Sequence, residues 1–218
     1  MSNLVNNDDF FSYVALLVSR SDSTARTYSV LACEVVLQNL DNSPFHPWFL
    51  EQYADLTCAG DSVDNTVALP SDFLDFKEDG YIWYFPVSGD KSIINRGFLE
   101  DLEDVYANQD AAHPVEACAL AGSTMYLGPT PDEAGHVKFW YTQSTTAPAD
   151  ITTAITNPWI LNAADYVAHR VAEKVARDRL RNPKRADELM ATATTLRTEL
   201  FRMNEGRKHS NMDYEVNN

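Results

Sequence analysis

Residues 157–203, NPWILNAADYVAHRVAEKVARDRLRNPKRADELMATATTLRTELFRM, read as two helices joined by a short turn. Asn157-Pro158 and Asn182-Pro183 each place a capping side chain before a proline. The missing N–H of that proline is harmless in a first helical turn, where the amides have no partner anyway. After the first pair, Leu161, Ala164, Ala168, Val171 and Val175 recur three and four residues apart. After the second, Ala186, Leu189, Ala193, Leu196, Leu200 and Met203 do the same. The joint between the two helices is short, at Arg181-Asn182-Pro183, so an antiparallel pair is expected. Residues 205–218, EGRKHSNMDYEVNN, lose the period and read as a C-terminal tail.

The N-terminal fifty residues are helical in texture as well. Asp8 and Asp9 precede the apolar run of residues 10–18, an acidic first turn that suits the positive end of a helix. Ser23 opens a second segment whose stripe reads Leu31, Val35 and Leu37 or Leu40, and residues 45–50, FHPWFL, form a short aromatic element. Neither the N-terminal nor the C-terminal helices can bury their stripes alone, so the two sets are expected to complete one bundle.

Between them the texture changes to short aromatic and β-branched runs punctuated by Gly, Pro, Asp and Ser. Residues 63–69, 81–85, 115–120, 124–127 and 136–141 read as strands. The clearest alternates Val137, Phe139 and Tyr141 with Lys138, Trp140 and Thr142. Residues 98–106, FLEDLEDVY, read as a helix with Phe98, Leu102, Val105 and Tyr106 on one face. The expected fold class is therefore α+β: a discontinuous helical bundle (1–54 and 151–204), an inserted small antiparallel sheet or sandwich (55–150), and a tail (205–218).

Charge narrows the function classes. The chain of 218 residues has 17 Lys+Arg against 32 Asp+Glu, a net −15. That balance opposes a fold that coats nucleic acid, which needs a basic face to displace counterions. Residues 1–168 carry 6 basic and 24 acidic side chains, and residues 169–218 carry 11 and 8, so the C-terminal end is expected to face a partner. Cys33, Cys58 and Cys118 are odd in number and lack CxxC spacing, which fits a reducing compartment. No secretory signal pattern or membrane-length apolar run occurs in the sequence, so synthesis in a cytoplasm without membrane insertion is expected.

The search for chemistry returns little. No phosphate-binding glycine loop, dinucleotide fingerprint, HExxH, GxSxG or EF-hand loop is present. His46, His113, His136, His169 and His209 stand singly. His113, Glu116 and Cys118 miss the spacing of a zinc deaminase by one residue and lack its second cysteine. Asp72, Asp75, Glu78 and Asp79 are the one carboxylate group that could chelate a divalent cation, the basis for an alternative reading as a small metal-dependent hydrolase. No nucleophile and no cofactor motif is identified, and no enzyme activity is expected.

Three stretches in order carry a resemblance. They are residues 67–74 (VALPSDFL), residues 114–131 (PVEACALAGSTMYLGPTP), and residues 137–141 (VKFWY) followed by Asn157-Pro158-Trp159-Ile160-Leu161. Over roughly residues 23–204 the chain resembles the head–tail adaptor, or connector, proteins of tailed bacteriophages, including adaptor-like tail tubular proteins. The resemblance implies a virion protein of the neck, forming a ring of about twelve copies beneath the portal. Such a ring extends the DNA channel and gives the tail, or the next neck protein, a platform. A tail terminator or stopper is the neighbouring alternative.

Under that resemblance the basic C-terminal end supplies the portal-docking candidates Arg202, Arg207 and Lys208, with Met212 and Tyr214 as apolar anchors. Glu100, Asp101, Glu103 and Asp104 are the candidates for a channel wall, where like charge keeps DNA from adhering as it passes.

Overall fold

The structure, a computed structural model, describes residues 6–20, 23–60, 64–78, 80–106, 115–148 and 153–215, with side chains described as far as residue 207. In chain order the elements are α1 (Asn7–Leu17), α2 (Ser23–Asp41), a 3-10 turn (Trp48–Leu50), β1 (Glu51–Cys58), β2 (Thr66–Ala68), β3 (Phe73–Phe76), β4 (Ile82–Pro86), β5 (Ser92–Arg96), α3 (Leu99–Tyr106), β6 (Ala117–Ala121), β7 (Thr124–Gly128), β8 (Gly135–Gln143), α4 (Pro158–Asp178) and α5 (Pro183–Glu215). Two compact units result, one from residues 1–50 with 145–218 and one from residues 51–144.

In the helical unit, α4 packs against α1, α2 and α5. Caps set where its helices begin. Asn6 and Asp9 form a reciprocal capping box at α1, Asn157 Oδ1 accepts from Ile160 N at 3.2 Å, and Asn182 Oδ1 accepts from Arg185 N at 3.1 Å. The core gathers Phe10, Phe11, Val14, Leu37, Trp159, Ile160, Val167, Val171, Ala186 and Leu189, all at most 2% exposed. Burying a side chain of that size stabilises the fold by about 1.5–3 kcal/mol.

The stripes differ from the expected ones in phase. On α4, Ala163 has non-helical backbone angles (φ −140°, ψ 38°), which turn the helix between Ile160 and Tyr166. Trp159 and Ile160 therefore point inward and Leu161 lies 60% exposed, while Ala168, Val171 and Val175 keep the expected face. On α2 the buried set is Ala25, Ser29, Ala32, Cys33, Val36, Leu37 and Leu40, and Leu31 and Val35 face outward. On α5 the drift of a 3.6-residue turn brings Asn204 rather than Met203 to the inner face.

Buried polar groups help to hold the helical unit. Asp41, at the C-terminal end of α2, is only 7% exposed and sits where a carboxylate meets the negative end of the helix dipole. Three donors offset this: Thr145 N at 2.7 Å, Thr145 Oγ1 at 3.1 Å and Trp159 Nε1 at 3.0 Å. Arg185 donates from Nε and Nη2 to Leu17 O at 3.0 and 2.7 Å, placing a cation on the carbonyl end of α1.

The other unit is larger in strand count than the small antiparallel sheet expected. Its eight strands run β1-β8-β4-β5-β6-β7-β2, with β3 also on β8, and β5–β6 pair in parallel among otherwise antiparallel neighbours. β8 organises it. One edge pairs with β1 from Glu51↔Thr142 to Cys58↔Gly135, and the other is shared by β4 and then β3. β1 and β2, the ends of the order, come into contact, so the sheet nearly closes on itself. Its interior holds Val137, Phe139, Met125, Leu127, Val115, Ile82 and Tyr84.

β1, β3 and β5 are strands that sequence reading did not assign. β1 sends the small or partly covered Ala54, Leu56 and Cys58 inward, a weak alternation. β3 hides within the turn-like L-P-x-D-F stretch, and β5 is only five residues long. Strands this short owe their pairing to neighbours rather than to local pattern.

Candidate functional site

The exit of α5 is held rather than loose. Phe201 stacks on Phe45 with ring centroids 3.8 Å apart, and Trp48 N donates to Asn204 Oδ1 at 2.9 Å. The Arg207 guanidinium lies 4.3 Å from the centre of the Trp48 ring, a cation–π contact. The helix then continues to Glu215, past residue 205 where the apolar period stops. A helix can outlast its stripe because each further turn extends a nucleus already formed. Among the portal-docking candidates, Arg202 is exposed and Arg207 is engaged by Trp48. The side chains of Lys208, Met212 and Tyr214 lie outside the described residues, although their backbone is helical.

The channel candidates sit together on α3, which rests on β6 and β7. Leu102 and Tyr106 make that contact, and Gly128 of β7 makes room for it, since a Cβ there would come within 2.6 Å of the Tyr106 ring. Glu100, Asp101, Glu103 and Asp104 all project into solvent, without a cation in ion-pair range among the described residues. Phe98 and Val105, expected on the inner face, are 79 and 56% exposed beside them. The covered row of so short a helix runs through the half-buried Leu99 and Tyr106 and the buried Leu102, three and four residues apart.

A second surface of the same unit was not singled out from sequence. The register aligns the outward residues of four strands: Tyr53 opposite Trp140, Asp55 opposite Lys138, Lys138 opposite Trp83, and Trp83 opposite Ile93. Phe85 opposes His136 in the next row. Ring centroids of Tyr53 and Trp140 are 5.4 Å apart, and those of Tyr81 and Trp83 are 5.9 Å apart. Lys91 lies 4.5 Å from the Trp83 ring centre, Lys138 4.8 Å from that of Phe85, and Lys77 5.7 Å from that of Trp140. The signal available in sequence was the outward half of the alternation, where Lys138 and Trp140 stand between the inward Val137, Phe139 and Tyr141.

Several other polar side chains have structural partners. Asp72 Oδ1 accepts from Tyr141 Oη at 3.0 Å, and Asp75 Oδ1 from Phe76 N at 2.7 Å. Asp79 lies outside the described residues, and among those described no group of three or more His, Cys, Asp or Glu is placed to hold a metal ion. His136 Nδ1 meets Asp55 Oδ1 at 2.7 Å, and the hydrogen bond to this histidine is the main cause that holds the Asp55 carboxyl below its usual range. His46 faces Asp41 O and His169 faces Asp165 O, while His113 and the His209 side chain lie outside the described residues. Cys33, Cys58 and Cys118 are buried thiols outside any disulfide, and burial pushes Cys33 and Cys118 up to about 12. Thiols so protonated are poor nucleophiles.

Among the described residues no helix is long and apolar enough to cross a membrane. No curated protein matches the chain. The family model described as SU10 adaptor protein matches residues 20–213, which takes in the whole sheet unit and the helical unit from α2 onward. The chain belongs to the SU10 adaptor protein family, a family of phage head–tail adaptors.

Proposed function

We propose that this protein is a non-enzymatic component of the virion neck. In this role it assembles into a homo-oligomeric ring of about twelve copies beneath the portal protein and lengthens the channel through which DNA passes. The opposite side of the ring receives the tail or the next neck protein. The observation that carries this reading is the family match across residues 20–213.

Charge supports the channel. Residues 51–144 hold 4 basic against 17 acidic side chains, a balance of −13, and a wall of that sign repels phosphate. No specific DNA binding is needed for transit. The exposed Phe98 and Val105 among the acids of α3 favour a protein contact at that helix, so the wall is drawn more widely from the carboxylates of this unit.

The C-terminal end of α5 is the portal-docking element. Arg202 is exposed, and the helix carries Lys208, Met212 and Tyr214 onward from the anchoring contacts of Asn204 and Arg207 with Trp48. Virions carrying a label on this protein test the assignment by microscopy. Label at the head–tail joint is expected, and label anywhere else overturns it. Truncation after Arg207 leaves the contacts to Trp48 in place, so a folded protein that no longer attaches to portal-bearing heads is expected.

A further inference from the structure

The outward face of β1, β8, β4 and β5 has the composition of a surface that is covered in use. Tyr53, Tyr81, Ile93 and Trp140 are 51, 63, 45 and 43% exposed. The register and the rings join them: Tyr53 faces Trp140, Ile93 faces Trp83, and the Tyr81 ring lies 5.9 Å from that of Trp83. A contiguous aromatic patch of this kind on a soluble protein marks an interaction site. Its charge is equally distinctive. The unit has only four basic side chains, and three of them, Lys77, Lys91 and Lys138, lie over the rings of this face. Lys77 pairs with Glu51 and Lys138 with Asp55, whereas Lys91 meets no carboxylate among the described residues.

The complementary surface lies on the same unit but on other strands. α3 rests on β6 and β7 and presents Phe98 and Val105 with four carboxylates that have no cation nearby among the described residues. Aromatic rings with an uncompensated ammonium group match an apolar helix with uncompensated carboxylates in both chemistry and sign. A nucleic-acid strand fits less well, because the surrounding −13 repels phosphate and two of the three lysines are already paired.

We propose that α3 of one copy docks on the aromatic face of the next copy. The proposal rests on the ring reading above and supplies it with a contact. Because the two patches differ and belong to one chain, each copy offers α3 to one neighbour and receives the α3 of another. Such a head-to-tail contact closes into a ring when the rotation between copies allows it.

Two full-length variants test this. Tyr53→Glu with Lys91→Glu blocks the receiving face, and Phe98→Glu with Val105→Glu blocks the helix, so the two blocked surfaces repel each other. All four positions are exposed, and circular dichroism checks that both variants fold. Sedimentation up to the highest soluble concentration is expected to show each variant alone as a monomer and their mixture as a one-to-one dimer. That dimer should weaken about tenfold or more from low to high salt, because its charged rim is screened. The proposal is overturned if the mixture stays monomeric, if either variant self-associates as the wild type does, or if the face instead takes up a single-stranded oligonucleotide. Rings formed by either blocked variant would reject this contact and leave the ring standing. Virions without label at the neck would reject the ring reading itself.

Discussion

The two units divide the work of one chain by chemistry. The helical unit (1–50 and 145–218) holds 13 basic against 15 acidic side chains, a balance of −2. The sheet unit (51–144) holds 4 against 17, a balance of −13. The acidity that looked like an N-terminal property when counted along the chain is a property of the inserted unit. A nearly neutral helical unit can build close contacts without self-repulsion, whereas a strongly charged one carries like-charge repulsion at some cost in its own stability.

The comparison is most severely tested by Trp159→Ala. The ring is fully buried and its Nε1 donates to Asp41, so the change removes core volume and one of three donors to a buried carboxylate. A loss of about 3–5 kcal/mol is expected for the ring, with about 1–3 kcal/mol more for the stranded acceptor. Calorimetry should show the helical unit melting early while near-ultraviolet signals from the sheet unit persist. A single shared shift would break the comparison and show the units unfolding as one.

Leu127→Ala is the reciprocal experiment in the sheet unit, where the side chain is fully buried. A cost of about 2–5 kcal/mol is expected, read from denaturant midpoints. The helical unit should keep its far-ultraviolet signal through that transition.

Alkali should sharpen the contrast. Burial is the chief cause that pushes Cys33, Cys118, Tyr84 and Tyr141 up to about 12, from ordinary values of 9.0 for the thiols and 10.0 for the phenols. Tyr141 is raised further by its hydrogen bond to Asp72. In each case the neutral form is favoured in the folded state, so the unfolded chain loses these protons first. The contribution of these four groups is then level below about pH 9 and falls as pH rises from about 9 toward about 12. Three of the four groups are in the sheet unit, so its unfolding should lead in an alkaline titration.

Salt offers a smaller separation. Raising ionic strength from about 0.02 to about 0.5 M screens like-charge repulsion and should raise the midpoint of the sheet unit by a few degrees. The near-neutral helical unit should respond much less.

Arg181→Gly is the smallest effect. Arg181 has φ 49° in the turn after α4, where Asn182 N returns to Ala176 O at 2.9 Å. Glycine removes the cost of a left-handed backbone and should stabilise the helical unit by up to about 1 kcal/mol. Thermal melting checks the sign.

Helix starts were legible in the sequence because a capping side chain and a proline act within one turn. Asn157 and Asn182 cap α4 and α5, as the Asn-Pro pairs imply. The stripe of α5 from Ala186 to Leu200 was legible for the same local reason. The strands with strong alternation, such as β8, could also be read, but β1, β3 and β5 could not. β1 and β3 pair with β8, far along the chain, and β5 brings only Ile94 inward from its hairpin with β4. The acidic run of α3 was plain, whereas its exposed Phe98 was not, because an eight-residue helix offers the sheet only one short row.

By itself, the sequence determined that the chain is mixed α and β, where its principal helices begin, and that its charge is strongly negative. Those properties depend on composition, on caps and on periods of a few residues. Tertiary structure alone decided that eight strands form one nearly closed sheet, that Ala163 turns α4 so Trp159 meets Asp41, and that Tyr53, Trp83 and Trp140 share a face with Lys91. Those residues are brought together by strand register and helix packing, which depend on the whole fold and leave no mark at any local spacing.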